Sequence, residues 1–513
     1  MNQNRQKANI DWFIFITTTC LVIGVCIPLV LAPKWGANIV NFAFEFITQK
    51  FGILYIWSSL ATMIFLLWLA LGPHGKIRLG NTNDKPNYSM FSWASMIFCA
   101  GIGSALIYWA TIEWTYYFSN PPFGIESGTE QATIWAASYG LFHWGPSGWA
   151  FYCLPAVALS YAYHVRGIPY LRISAACEAV LGQHSVGAIG KCIDILVMFG
   201  LIGAAATSLG FSTPMISTAM SEFLGLEESF SMTVVILILS IVLFATSVYI
   251  GLDKGIKRLS NINSIIALLL AALVLLLGPT AFILKMGTNS IGHVIQNYIK
   301  MNTWTDPITQ SGFVENWTIF YWAWWLGLGP FVGIFVTKIS RGRTIRELIF
   351  GMLGFGALGC AIFFIILGNY ALHLQLESTL DVVALVKEQG APLAISKVIL
   401  SLPFGYWILP IISVIALIFT ATTYDSASYT LASCATKNLP VNMHPARWHR
   451  IFWACALGVL PISLLFLGGL NTLQTMSIVV SLPLIFVFIL MATSLLLSLR
   501  ESEVSPEPEN SNE

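Results

Sequence analysis

Apolar residues run along this chain in blocks long enough to cross a lipid bilayer, with polar residues gathered between them. A spanning helix needs about 20 mostly apolar residues. Twelve stretches qualify: 11–32, 52–72, 91–119, 132–164, 189–221, 230–250, 260–286, 316–338, 345–371, 404–436, 450–470 and 474–499. Several exceed the minimum, which predicts tilt or kinks. The connecting stretches 287–303 and 378–402 are partly apolar. In the second, Leu380, Val383, Leu385 and Val386 mix with Asp381, Lys387 and Glu388. That pattern fits an interfacial amphipathic helix and fits an ordinary surface helix equally.

The connections carry an alternating charge. Arg5 and Lys7 precede the first span. Lys76, Arg78 and Lys85 follow the second, and Arg166 and Arg172 the fourth. Lys254, Lys257 and Arg258 follow the sixth, and Lys338, Arg341, Arg343 and Arg346 the eighth. Lys437, Arg447 and Arg450 follow the tenth. The loops around Glu126 and Glu130, and around Glu222, Glu227 and Glu228, hold no Lys or Arg. Basic loops stay in the cytoplasm, so both termini are expected there.

Composition agrees. Of 513 residues, 10% are charged and 56% hydrophobic, against about 25% charged in a soluble globular chain. This excludes a soluble enzyme, a nucleic-acid binder and a disordered scaffold, and makes membrane lipid the surrounding partner. The net charge of +1 suggests no polyanionic partner. Nine Cys without CxxC or Cys/His spacing read as buried small hydrophobes rather than disulfides or a metal site. No HExxH, GxSxG or cofactor motif occurs in the spans, so neither an intramembrane enzyme nor a bound cofactor is expected.

Two spans carry helix-breaking residues at mid-depth. The third contains Gly101-Ile102-Gly103-Ser104, and the eighth Gly327-Leu328-Gly329-Pro330 followed by Gly333. Free backbone groups at that depth are tolerated only around a cavity or in packed protein. The pair lies five spans apart, as an inverted repeat would place it. Close helix packing through small residues explains the same glycines.

Aromatic residues gather near these points. The fourth span reads Phe142-His143-Trp144-Gly145-Pro146, then Trp149 and Tyr152. Trp144 falls about 12 residues from one end of its span, roughly 18 Å deep, where interfacial tryptophans do not sit. Trp324 and Trp325 are equally deep. Converging rings suit a quaternary ammonium, which has no N–H to donate and is held by ring faces at about 0.5–1 kcal/mol each. Helix packing alone is the competing explanation.

These stretches resemble the betaine/choline/carnitine transporter family over nearly the whole chain. The resemblance rests on Phe320-Tyr321-Trp322-Ala323-Trp324-Trp325 and on Lys338-Ile339-Ser340-Arg341-Gly342-Arg343-Thr344-Ile345-Arg346-Glu347. Phe142-His143-Trp144-Gly145-Pro146, Thr207-Ser208-Leu209-Gly210 and Asn120-Pro121-Pro122-Phe123-Gly124 support it. Within the family the chain looks most like the members that exchange carnitine for γ-butyrobetaine.

The resemblance implies an all-α polytopic membrane protein with a leucine-transporter-type five-plus-five inverted repeat. Residues 1–90 would hold the N-terminus and two leading helices, 91–286 the first repeat and 287–315 an external loop with an interfacial helix. Residues 316–499 would hold the second repeat, and 500–513 a short acidic disordered tail. It implies a homotrimer in the bacterial cytoplasmic (inner) membrane, and small quaternary ammonium substrates as partners. Trp144, Trp324 and Trp325 would surround the trimethylammonium, with Trp149 and Tyr152 along the path. Backbone amides freed at Gly101 and Gly103 would meet a substrate carboxylate. The family usually has another aromatic where Leu328 stands, which leaves the box open on that side.

Coupling points two ways. Lys257 aligns with a basic residue that stands in for sodium in sodium-independent exchangers. Thr422 and Thr423 align with hydroxyls that resemble sodium ligands in betaine symporters. Exchange is the favoured reading and sodium- or proton-coupled symport the alternative. Ionisable residues inside spans are functional suspects. Glu113 reads as lying near the outer interface, since Asn120-Pro121-Pro122 closes its span. His143 reads as a hydrogen-bonded packing residue, and Asp425 as the partner of a Lys or Arg.

Overall fold

The computed structural model describes residues 9–250, 255–437, 439, 444–467 and 470–504. Lys254 and the acidic tail beyond Val504 lie outside them, as do the side chains of Lys257 and Arg258. The described chain is helical throughout, with two isolated β-bridges. Each of the twelve expected spans is a helix or a pair of helices. Among the described residues, seven helices are by themselves long and apolar enough to cross a membrane. The sixth and eleventh spans are helices of 21 residues each. The others are divided.

The third span is Met90–Ile102 followed by Ala105–Ser119. Gly103, between them, has φ 57° and ψ −161°, a conformation essentially confined to glycine. This break was legible from the sequence. The fourth span breaks as well, into Glu130–His143 and Pro146–Ser160. Gly145 is extended there, and Pro146 starts the second helix, where its missing N–H is harmless.

The expected break in the eighth span is absent. Phe320–Ile339 is one helix, entered through a π-turn at Val314–Ile319. Its glycines serve close packing. A Cβ at Gly333 would lie 2.6 Å from Pro155 Cβ, and one at Gly329 would lie 2.7 Å from the Phe151 carbonyl oxygen. The eighth span thus presses backbone-to-backbone on the second half of the fourth.

The seventh span is shorter than expected. Its helix, Gly255–Leu277, ends at Gly278-Pro279, and Thr280–Thr303 leaves at 114°. Proline excludes a helical residue before it and has no N–H to continue the ladder. The Thr280 hydroxyl donates to the Leu275 carbonyl at 2.6 Å, satisfying one freed acceptor. The expected interfacial helix therefore begins seven residues earlier than position 287. The stretch 378–402 forms two short helices, Val382–Gln389 and Ala391–Leu400, turned at Gly390 with φ 89°.

The basic connections act as clasps. Gly342 N–H donates to Leu79 O at 2.7 Å and Leu79 N–H to Arg343 O at 2.8 Å, joining the second–third and eighth–ninth connections. Arg341 pairs with Asp84 at 2.9 Å. Arg343 lies 4.0 Å over the Trp93 ring and donates to Tyr88 O, while Arg346 donates to Ala70 O. Of the three arginines, only Arg341 makes an ion pair among the described residues. Cys20, Cys192 and Cys455 are exposed on helix surfaces rather than buried, and all nine cysteines are free.

Candidate functional site

The break in the fourth span decides where its rings point. Trp144 ends Glu130–His143 with φ −97° and ψ 6°. Trp149 and Tyr152 then follow on a helix restarted at Pro146. Trp324 and Trp325 come from the unbroken eighth span. The structure brings all five together. The Trp144 ring centroid lies 5.8 Å from that of Trp324, at 90°, and 5.5 Å from that of Trp325, at 79°. Trp325 lies 4.6 Å from Tyr152 and 5.9 Å from Trp149. Edge-to-face geometry of this kind is favourable for aromatic pairs. None of the five is more than 4% exposed.

Further rings, not assigned to the site from the sequence, complete the cluster. Tyr321 lies 5.9 Å from Trp144, and Phe364 lies 5.6 Å from it. Phe211 of the fifth span lies 6.0 Å from Trp324. Tyr321 stands within the aromatic run that was quoted, three residues before Trp324. Phe364 opens a π-turn at Phe364–Gly368, and nothing local in its sequence marks it. Leu328 is buried on the helix that carries Trp324 and Trp325.

Glu113 is the largest departure from expectation. It is completely buried, in the second half of the third span, and lies among these rings. Its Oε1 accepts from the Tyr117 hydroxyl at 2.6 Å. Its Oε2 accepts from Trp144 Nε1 at 3.0 Å and from the Tyr321 hydroxyl. His143 is a hydrogen-bonded packing residue, as expected. Nδ1 lies 2.9 Å from the Tyr117 oxygen and Nε2 lies 3.1 Å from the Thr318 hydroxyl. Because Tyr117 gives its one proton to Glu113, its oxygen accepts from Nδ1–H. That assigns the tautomer and leaves Nε2 to accept from Thr318.

A second cluster lies where the third and tenth spans cross. Thr423 Oγ1 donates to Phe419 O at 3.0 Å and to Cys99 O at 3.4 Å. A Cβ on Gly103 would come within 3.2 Å of that hydroxyl. Ser104 and Thr420 hydroxyls lie 2.7 Å apart. Thr422 bonds only within its own helix among the described residues, to Ile418 O and Phe419 O at 3.1 and 2.9 Å. Gly101 sits in the last turn of Met90–Ile102, two residues before the break. The backbone of Lys257 lies in the first turn of Gly255–Leu277. That helix packs on the third span, with Asn261 Nδ2 donating to Ser92 Oγ at 3.1 Å and Cys99 Sγ lying 3.3 Å from Ser264 Oγ. Asp425 is buried on the tenth span, two residues beyond Thr423.

The comparisons with known proteins agree on a class. The model of the betaine/carnitine/choline family transporters (BCCT) matches residues 13–504. An uncharacterized transporter of Escherichia coli (strain K12), YeaV, is 36% identical over 431 residues, covering 84% of this chain and 89% of that protein. A carnitine transporter of Acinetobacter baumannii is 32% identical over 491 residues, covering 96% of this chain and 89% of that one. A solved sialic acid symporter, Na+-coupled and in a substrate-bound outward-open state, covers 85% of both chains at 13% identity. Its TM-score is 0.44, a likeness too distant to argue from.

Proposed function

This chain belongs to the betaine/carnitine/choline transporter family, and from that membership we propose that it exchanges trimethylammonium compounds across a membrane by alternating access. The family consists of transporters, so the protein is not an enzyme. The substrates of this reading are carnitine, γ-butyrobetaine or a betaine. The observation that carries it is the buried convergence of Trp144, Trp324 and Trp325 at the break of the fourth span. Three ring faces hold a cation that offers no hydrogen-bond donor, and they hold it weakly enough to release it. Phe364 beside Trp144 and Phe211 beside Trp324 add rings to the cage. The break of the third span at Gly103 supplies amides for the carboxylate end of the substrate, whereas Gly101 lies inside the helix before it.

In this reading the two repeats, 91–286 and 316–499, rock about the site, with both termini in the cytoplasm of a bacterium and a homotrimer as the assembly. Lys257, close to the cytoplasmic side, holds a fixed positive charge where a symporter would hold sodium.

The test is uptake of labelled carnitine and glycine betaine into proteoliposomes in sodium-free buffer, with vesicles either empty or preloaded with unlabelled substrate. Uptake confined to preloaded vesicles and indifferent to sodium is the expected result. Uptake into empty vesicles only under an inward sodium gradient would replace exchange by symport. One observation favours that second reading. The Thr423 hydroxyl and the Cys99 carbonyl meet beside the third-span break, and hard cations take such oxygen ligands.

A further inference from the structure

Glu113 carries an inference that rests on the trimethylammonium reading and deepens it. Three aromatic donors converge on one carboxyl group. The indole N–H of Trp144 and the hydroxyls of Tyr117 and Tyr321 fill its two oxygens. Two carboxyl oxygens thus have three donors within hydrogen-bond reach, a surround suited to a negative charge. Among the described residues no Lys or Arg lies within ion-pair distance of it. The one basic side chain within 4 Å of it among the described residues is His143, with Nδ1 at 3.8 Å, and both of its ring nitrogens face other partners, Tyr117 and Thr318. A buried charge without a cationic partner is unfavourable inside a membrane protein unless function supplies the partner.

The geometry also shows what Glu113 does to the rings. It holds Trp144 by the edge, through Nε1, so that the ring faces stand free of the carboxylate. It holds Tyr321 by the hydroxyl, and Tyr321 shares its helix with Trp324 and Trp325. One side chain therefore ties the third span, the broken end of the fourth and the aromatic run of the eighth into one register. A donor polarised toward an anion leaves its ring richer in electrons, which strengthens the attraction of the ring face for a cation.

We propose that Glu113 is the counter-charge and the positioning residue of the aromatic cage, so that the cage selects a permanent cation through an anion set behind its rings rather than through a direct ion pair. The ligand class is a small trimethylammonium compound. Its carbon isostere, with a tert-butyl carbon replacing the nitrogen, has the same shape and keeps the carboxylate but lacks the positive charge.

The experiment measures binding of both compounds to purified protein by tryptophan fluorescence, in the wild type, Glu113→Gln and Glu113→Asp. Glutamine keeps the size and an acceptor oxygen and removes the charge. The preference of Glu113→Gln for the cation over the isostere should fall about tenfold, with the affinity for the isostere unchanged. Glu113→Asp should regain part of the preference. A wild-type preference in Glu113→Gln, or equal loss of affinity for both compounds, would overturn the inference and leave the transport reading standing. Should Glu113→Gln fail to fold, Glu113→Asp, which draws the charge back from the rings, decides. A smaller preference for the cation than in the wild type is expected, and a wild-type preference or equal loss of affinity for both compounds overturns the inference. Wild-type protein that binds neither compound overturns the transport reading and this inference with it.

Discussion

The hydroxyl of Thr423 donates to the carbonyl of Cys99 at 3.4 Å, joining the tenth span to the third one turn before the latter breaks. Gly103, at the break, passes so close that an added Cβ would lie 3.2 Å from the same hydroxyl. The junction combines a carbonyl, a hydroxyl and a forced glycine, and the coupling question turns on it.

If Lys257 stands in for a cation, Lys257→Ala should turn sodium-indifferent exchange into exchange that requires sodium. Adding Thr423→Val, which deletes the hydroxyl at nearly constant volume, should remove that requirement together with the activity. Counterflow in preloaded proteoliposomes with and without sodium reads both. Lys257→Ala exchange that stays indifferent to sodium would return Lys257 to orientation charge.

Gly103→Ala tests the break itself. Its φ of 57° and ψ of −161° suit only glycine, and holding an alanine there costs about 1–3 kcal/mol. The methyl would also press on Thr423. A lower melting temperature in detergent is expected, along with impaired substrate binding. Unchanged stability would mean that the break relaxes into continuous helix.

Trp325→Leu tests the cage. Trp325 touches Trp144, Trp149 and Tyr152 at once, so its loss should nearly abolish the substrate-induced fluorescence change. Some destabilisation accompanies the smaller side chain, so binding is measured well below the melting temperature. Trp448→Leu, on an exposed ring, is the matched control and should bind normally. Wild-type affinity in Trp325→Leu would remove the cage.

The Arg341–Asp84 clasp lies outside the spans and gives a pH dependence of definite sign. The hydrogen bond from Arg341, more than any other cause, holds the Asp84 carboxyl below its ordinary value. A carboxylate depressed in the folded state stabilises above its unfolded value and loses that contribution as pH falls through the folded one. The pair is partly exposed, so the effect is small and screened by salt. The melting-temperature difference between wild type and Arg341→Gln should be constant near neutral pH and vanish in acid. A difference that persists in acid would assign the clasp to the backbone pairing of Leu79 with Gly342 and Arg343.

The spans were legible along the chain because a bilayer imposes a local requirement. Each helix must bring its own run of apolar residues and satisfy its own backbone. The turn at Gly103 was legible for the same reason, since a glycine amid apolar residues is a property of a few neighbouring positions. The glycines from Gly327 to Gly333 look identical in sequence and mean something else. They bend nothing, because Ala204 of the fifth span and Phe151 and Pro155 of the fourth lie against them, and neighbours so far away along the chain leave no mark in the local pattern. Glu113 shows the same limit from the polar side. Counting residues back from Asn120-Pro121-Pro122 placed it near an interface. Its donors, however, lie 4, 31 and 208 positions away. Only the folding of three spans onto one another gathers them, because a buried charge is stabilised by whatever surrounds it in space and not by what precedes it in the chain.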